Sequence, residues 1–290
     1  MARIKASKKR TTEQVEADEQ QAAKDKRAKA SAQFVHGLFG LDGLTAVVIG
    51  GEGVLGGAIA EGLANAGAHA VVAGINQENG DACVERISQA GGTAEFFKLD
   101  ATKREDLEAL VKHISESKRR CDILVNAAGI NAATPFLEIS DDEWDRILNV
   151  NLRSVRLACQ VFGKAMLDAG NGGSIINIAS ASSETPLSRV FTYSVTKAGV
   201  LNLTRNLARE WAEQGIRVNA LSPGFFPAEQ NRKVLTPDRV DSIMKHTPMN
   251  RFGEPQELVS AVLMMASPKS NTFLTGANIA VDGGFTGMTI

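Results

Sequence analysis

The chain has 290 residues, 43% of them hydrophobic and 22% charged, with a formal net charge of −1; this is enough apolar material for one large α/β core, and no second domain is required. Residues 1–33 hold nine Lys and Arg against five Asp and Glu, so the remainder is mildly acidic, which excludes nucleic acid as the main ligand because phosphate binding is driven by clustered basic side chains. The three cysteines (Cys83, Cys121, Cys159) and four histidines (His36, His69, His113, His246) lack disulfide or metal-ligand spacing, and no apolar run approaches the roughly 20 residues that span a bilayer.

Residues 1–33 are rich in Lys, Glu, Gln and Ala and almost lack large apolar side chains, so they cannot bury enough surface to offset their ordering entropy. A disordered arm or a solvated helix is expected there, outside a folded domain over 34–290. The acids Glu13, Glu16, Asp18 and Glu19 count against an organellar signal, and no apolar core marks a secretory one. A soluble, cytoplasmic protein without a metal site is the expectation.

From Leu44 the pattern changes. Thr45-Ala46-Val47-Val48-Ile49 reads as a buried strand, followed by Gly50-Gly51-Glu52-Gly53-Val54-Leu55-Gly56-Gly57 and an alanine-rich helix through Gly67. Glycines between a strand and a helix let the backbone approach a pyrophosphate, whose charge the helix N-terminus favours. The same glycines also make ordinary tight turns, and it is the flanking strand and helix that favour a cofactor. A second strand, 69–73, ends at Gly74-Ile75-Asn76, where a dinucleotide fold reads the adenosine ribose. An acid there hydrogen-bonds the 2′-hydroxyl of NAD, and an arginine pairs with the 2′-phosphate of NADP. Neither stands at Gly74 or Ile75, so NAD and NADP both stay open.

The alternation continues with a helix over 81–90, a strand over 94–99 closing on Asp100, a helix over 103–116, and a strand over 121–125 leading into Asn126-Ala127-Ala128-Gly129. Repeated β-α units predict an α/β fold: a single-domain Rossmann-type doubly wound parallel sheet with helices on both faces and ligands beyond the carboxyl ends of its strands. Asp100 and the Asn126 to Gly129 stretch both fall at such ends; a helix cap and a turn are the plainer alternatives. A helix over 141–163 carries Asn149 and Asn151, and an inward asparagine needs hydrogen-bonding partners. The strand 174–178 ends in Ala179-Ser180-Ala181-Ser182-Ser183.

Tyr193, the only tyrosine, stands four residues before Lys197 at the start of a helical run. On a helix the two share a face, and an ammonium beside a phenol stabilises the phenolate, so Lys197 is expected to lower the tyrosine from its ordinary pKa of about 10. The strand 216–221 leads into Ser222-Pro223-Gly224-Phe225-Phe226-Pro227. Residues 225–250 are less regular and have the length and position of a substrate lid. A helix over 256–266 and a strand over 278–281 complete the pattern.

With these pieces in order, the chain from about Leu44 to Phe285 resembles the short-chain dehydrogenase/reductase family: a glycine-rich first turn, Asp100, Asn126-Ala127-Ala128-Gly129, Asn151, Ser180 thirteen residues before Tyr193, Lys197, and Pro223-Gly224. Two stretches, Pro223-Gly224-Phe225-Phe226-Pro227-Ala228-Glu229-Gln230-Asn231-Arg232 and His246-Thr247-Pro248-Met249-Asn250-Arg251-Phe252-Gly253-Glu254-Pro255, resemble more narrowly its D-mannonate oxidoreductase (fructuronate reductase) subgroup. The chain departs from the family pattern at Ile49, where a threonine is usual, at Val54, where the middle glycine is usual, and at Ala228, near which a threonine often contacts the carboxamide.

The resemblance implies an oxidoreductase that transfers a hydride between NAD or NADP and a sugar-acid carbonyl or alcohol. Cofactor contacts fall on Gly50, Gly51, Glu52, Gly53, Val54, Leu55, Gly56, Asn76, Asp100, Ala101, Asn126, Ala127, Ala128, Gly129, Tyr193, Lys197, Pro223, Gly224, Phe225 and Phe226. Catalysis falls on Tyr193 as acid and base, Ser180 on the carbonyl oxygen, Lys197 beside the tyrosine and the nicotinamide ribose, and Asn151 through a water relayed to Lys197. A sugar acid also needs its carboxylate held, which arginine does best through a two-pronged pair; Arg189 and Arg232 are the candidates, with Asn131 as a further substrate contact. The family also implies a homotetramer, with contacts at the C-terminal segment 287–290 and at the helices around Arg153 and Leu203. Two alternatives stand beside this reading: a reductase of the same fold acting on another carbonyl such as a 3-oxoacyl thioester, and a non-catalytic nucleotide-binding regulatory protein.

Overall fold

The computed structural model describes residues 12–226 and 236–288. Arg232, residues 227–235 of the expected lid, residues 1–11 of the N-terminal extension, and Thr289 and Ile290 lie outside the described residues.

Seven parallel strands form one sheet in the order β3-β2-β1-β4-β5-β6-β7. They are β1 (Thr45–Ile49), β2 (His69–Gly74), β3 (Thr93–Lys98), β4 (Ile123–Asn126), β5 (Gly173–Ile178), β6 (Ile216–Pro223) and β7 (Asn278–Val281). Successive side chains of a strand face opposite sides of the sheet, and here both sides are covered. Val47 and Ile49 of β1 pack with Leu107, Leu110, Phe162 and Val200 on one side. Ala46 and Val48 pack with Ile59, Leu63, Ile87 and Val262 on the other. This double burial is why the strand reads as a continuous β-branched run without alternation.

The helices on the first side are α4 (Arg104–Glu116), α6 (Ser154–Ala169) and α7 (Phe191–Trp211); those on the second are α2 (Val54–Asn65), α3 (Gln77–Gln89) and α9 (Val259–Ala266). α5 (Asp141–Leu148) precedes α6, and α8 (Pro237–Lys245) follows β6. Strand order reverses at β1, which pairs with β2 on one side and β4 on the other. Connections leaving in opposite directions open a crevice beyond the carboxyl ends of β1 and β4, the place where open α/β sheets bind ligands.

Three local features differ from the sequence reading. α3 starts at Gln77 rather than near 81, because the Asn76 side chain accepts the Asn79 amide at 3.0 Å and caps the helix early. The helix expected over 141–163 is two helices joined by a π turn at Asn149–Arg153, in which the Ser154 amide donates to the Asn149 carbonyl, five residues back. The last helix begins as a 3₁₀ turn at Pro255–Leu258 before α9.

At the N-terminus, α1 (Thr12–Phe39) runs through the boundary drawn at residue 33 and continues to Phe39, with residues 20–37 all exposed. Its C-terminal end is tied down by the Ser267 hydroxyl donating to Leu38 O at 2.6 Å, and fully buried Leu41 follows, its amide donating to Ala66 O at 2.7 Å. No helix among the described residues is long and apolar enough to cross a membrane.

Candidate active site

Ser180 leaves the carboxyl end of β5 and caps the short 3₁₀ turn Ala181–Ser183. Its Oγ accepts both the Ser182 amide and the Ser182 hydroxyl at 3.1 Å, while Ser183 Oγ accepts the Ser180 amide at 3.1 Å. A hydroxyl has two acceptor sites and one proton, so this arrangement leaves the Ser180 proton for a third partner. The Tyr193 phenol, in the first turn of α7, is near enough to that hydroxyl for Ser180 to bear on its titration.

Lys197 lies one turn further on, 3% exposed, its Nζ 5.5 Å from the Tyr193 ring centroid. Nζ donates to Ile178 O at 2.6 Å, so β5 sets the position of the amine as well as of the serine. Gly129, beyond β4, comes against the same pair: a Cβ there would sit 3.5 Å from Asn151 Oδ1 and 3.7 Å from Lys197 Nζ. Asn151, in the π turn and fully buried, clips the Ile130 backbone with two hydrogen bonds of 2.8 Å, accepting its amide and donating to its carbonyl. It also donates to Thr196 Oγ1 at 3.3 Å, and Thr196 in turn donates to Tyr193 O at 2.6 Å. Thr196 and Ile130 were not singled out by the sequence reading; a threonine inside a Tyr-x-x-x-Lys turn was their one visible signal.

The electrostatics correct one expectation. Burial raises the Tyr193 phenol above its ordinary value, and the Ser180 hydrogen bond opposes this without reversing it. Burial also lowers Lys197 to about 8. The phenol therefore shifts upward and not downward; the half-buried ring and the buried amine are both moved by desolvation toward their neutral forms, and the ammonium is directed at a carbonyl oxygen.

The cofactor side of the crevice is built on close backbone packing. Gly50 has φ +80° and a Cβ there would lie 2.5 Å from Ala128 N, so the first turn and the Asn126 to Gly129 stretch touch through a position only glycine fills. Gly56 likewise lies against Gly50, with 2.1 Å from its Cβ position to Gly50 O. Gly53 is the N-cap of α2 and no side chain caps the helix, while Val54, its first residue, is 49% exposed and Leu55 half-buried. Uncapped amides at a helix start fit an anionic pyrophosphate.

Other expected contacts carry structural work. The Asp100 carboxylate accepts from the Thr102 amide at 3.0 Å and hydroxyl at 2.7 Å, forming a turn before α4 and not a cap, since Lys103 holds the cap position. Burial raises its pKa and these bonds lower it, and the balance is downward. Ala101 beside it is half-buried. Asn126 donates to Asn177 Oδ1 at 2.8 Å, and Asn177 to Thr204 at 2.9 Å, a polar tie through the core. Beyond β6, in which Pro223 is the last residue, Gly224 donates to Val281 O at 3.0 Å and Phe225 O accepts the Gly253 amide at 3.0 Å. The Phe225 ring meets Phe285 edge-on at 5.1 Å, and Phe226 is buried.

Gly74 and Ile75 carry no acid, but the fold brings one to the end of β2 from elsewhere in the sequence. Glu52 reaches from the glycine turn to that strand end, and its Oε1 accepts the Ile75 amide at 3.0 Å. Gly74 makes room: a Cβ on it would lie 1.8 Å from Glu52 Oε2. The signal was an acid in the first turn together with a glycine ending the next strand.

On the substrate side, Arg189 is exposed with a left-handed φ of 65°, on the loop between the serine cluster and α7. Asn131 is exposed, its side chain accepting the Ala132 amide at 2.8 Å. Phe136 and Phe191, both exposed, meet edge-on at 5.3 Å between the loop after β4 and the start of α7. Among the described residues no group of three or more His, Cys, Asp or Glu side chains is placed to hold a metal ion.

A seven-stranded parallel sheet with a serine, tyrosine and lysine gathered at the end of β5 defines a nicotinamide-dependent oxidoreductase of the short-chain type. The chain belongs to the short-chain dehydrogenase/reductase family: a family model described as enoyl-(acyl carrier protein) reductase matches residues 52–286, and members of the family act on CH–OH groups with NAD or NADP. D-threitol dehydrogenase of Mycolicibacterium smegmatis is 35% identical over 248 residues, covering 86% of this chain and 95% of the relative. The crystal structure of a gluconate 5-dehydrogenase from Burkholderia cenocepacia, in complex with NADP and tartrate, superposes with a TM-score of 0.83 at 33% identity, covering 88% of this chain and 100% of that one. That of a candidate D-mannonate oxidoreductase from Haemophilus influenza with bound NAD gives 0.82 at 31%, covering 88% and 99%.

Proposed function

We propose that this protein interconverts a sugar-acid carbonyl and the corresponding secondary alcohol, of the D-fructuronate/D-mannonate type, with NAD or NADP as the hydride partner. The observation that carries the reading is the convergence of Ser180, Tyr193 and Lys197 on the carboxyl end of β5, beside the glycine turn. When bound, the nicotinamide supplies or accepts the hydride. The protein's task is to move the matching proton and to hold the oxygen.

In reduction, the Tyr193 phenol donates its proton to the oxygen that gains charge, and its raised pKa keeps it protonated for that step. Ser180, its lone pairs engaged by Ser182, donates a second hydrogen bond to the same oxygen. In oxidation the deprotonated form, the Tyr193 phenolate, receives the alcohol proton instead. Lys197, held at the end of β5 by Ile178 O, would hold the nicotinamide ribose when the cofactor is bound. The Asn151 side chain is spent on Ile130 and Thr196, so its part is to position the Lys197 pocket; a water relayed from the π turn remains part of the proposal.

The sugar-acid class is supported by the gluconate and mannonate names of the solved neighbours. Arg189 and Arg232 are the proposed carboxylate holders, with Asn131 at the rim. The threitol relative favours a second reading, a neutral polyol. A homotetramer is proposed from the family, and the face of α5, α6 and α7 around Leu148, Leu152 and Leu203, flanked by Arg146, Arg153 and Arg156, is the contact it would use.

The deciding experiment assays the purified chain with D-fructuronate, D-mannonate, D-threitol and a 3-oxoacyl thioester, each with both cofactors, beside Tyr193→Phe. Sugar-acid turnover is expected to dominate, and Tyr193→Phe to lose a factor of roughly 10² to 10⁴ or more while still binding the cofactor. Full activity in the Phe variant, or turnover of the thioester alone, would sink the proposal.

A further inference from the structure

The glycine turn after β1 is pinned to the end of β2: the Gly50 and Gly51 amides both donate to Ala73 O, at 2.7 and 3.3 Å. This brings Glu52 across to Gly74, and the carboxylate lies over a strand end that no β2 side chain can occupy, because Gly74 has none and Ile75 is 67% exposed. One carboxylate oxygen, Oε1, is fixed by the Ile75 amide at 3.0 Å. The other, Oε2, is buried without a hydrogen-bond partner. A buried carboxylate oxygen without a donor is costly, and such an atom at a ligand crevice calls for a donor from the ligand.

In a dinucleotide fold the end of β2 is where the adenosine ribose is read, and an acid there selects the 2′-hydroxyl over a 2′-phosphate. We propose that Glu52, delivered from the neighbouring turn in place of a β2 side chain, makes this protein selective for NAD over NADP by accepting a ribose hydroxyl and repelling a phosphate. This rests on the cofactor part of the proposed function.

The surrounding charges agree. Two basic groups stand on the neighbouring elements: Arg86, bound to Glu61 at 2.7 Å, and Lys98, in register with Gly74 on β3. Neither forms an ion pair with Glu52 among the described residues, and Arg86 is already engaged by Glu61. A dianionic phosphate entering beside Glu52 meets an uncompensated negative charge in a partly dry site.

The test measures dissociation constants of NADH and NADPH for the full chain by quenching of tryptophan fluorescence, for wild type, Glu52→Gln and Gly74→Ala. Wild type is expected to bind NADH at least about tenfold more tightly than NADPH, and Glu52→Gln to close most of that gap by tightening NADPH. Gly74→Ala keeps the glutamate but displaces its carboxylate, so it should lose selectivity in the same way, and thermal melts report whether each variant is folded. NADPH binding equal to or tighter than NADH in the wild type, or a ratio unchanged by both folded variants, overturns the assignment to Glu52 alone. Absence of binding by either cofactor overturns it together with the oxidoreductase reading.

Discussion

Lys197 is an amine whose fold works against its own charge. Burial lowers it from 10.5 to about 8, which corresponds to an unfavourable contribution of about 3 kcal/mol below that pH, where the folded protein must hold the ammonium out of water. The sign follows from proton counting. Between about 8 and 10.5 the unfolded chain keeps a proton that the folded chain has lost, so stability rises with pH across that window, and below it the penalty is present in full. Lys197→Met removes the penalty at the expense of one donor to Ile178 O. Its unfolding free energy at pH 7 is expected to exceed wild type by about 1–3 kcal/mol, while turnover is lost. The advantage should shrink as the pH is raised from about 8 toward 10.5; urea titrations at several pH values giving a constant difference, or a less stable variant throughout, would contradict this. The spacing of Tyr193 and Lys197 was legible in the sequence because helical geometry is local. The direction in which the phenol titrates was not, since that depends on how much water the folded crevice excludes.

At the scale of elements, the π turn at Asn149–Arg153 does what neither flanking helix could do alone. It sits between α5 and α6 and holds Asn151 inward against Ile130 and Thr196, joining the loop after β4 to the turn of α7 that carries Tyr193. Apolar periodicity over 141–163 hides such a turn, because one added residue leaves the pattern helical on either side; only two asparagines in a helix-forming run hinted at it. The strands were easier to read, since their apolar runs follow from burial on both faces. Asn76 shows the opposite difficulty, for a residue at a strand end can be a ligand contact or a helix cap from sequence alone, and here it caps α3. Asn151→Asp tests the clip. An aspartate keeps the Ile130 amide but cannot donate to Ile130 O or Thr196, and it brings a carboxylate against a carbonyl oxygen in a site of zero exposure, so a loss of roughly 2–4 kcal/mol is expected in denaturant melts. Asn151→Asp melting together with wild type would mean that the π turn is held by packing alone.

For the molecule as a whole, the sheet order follows from the repeating β-α pattern and the preference for right-handed crossovers, which is why the crevice and the residues around it could be placed from the sequence. What escaped were contacts made only once distant strands lie side by side. Glu52 and Ile75 are 23 residues apart, and nothing local to either announces that one will serve the other. The N-terminal helix is the reverse case, a long local element with little tertiary commitment. Residues 20–37 of α1 are exposed, and the described anchors to the body come at its end, through Leu38 O and Ser267, the His36–Asp42 pair at 2.6 Å, and buried Leu41. Removing residues 1–33 leaves those anchors in place. Exposed residues contribute only a few tenths of a kcal/mol, so the deletion is expected to shift the melting temperature by less than about 2 °C and to leave turnover unchanged. A drop of more than about 5 °C in a calorimetric scan of the shortened chain would show that α1 is part of the cooperative fold, with its small-residue face of Ala28, Ala32 and Val35 packed onto Ala66 and Leu263 in solution.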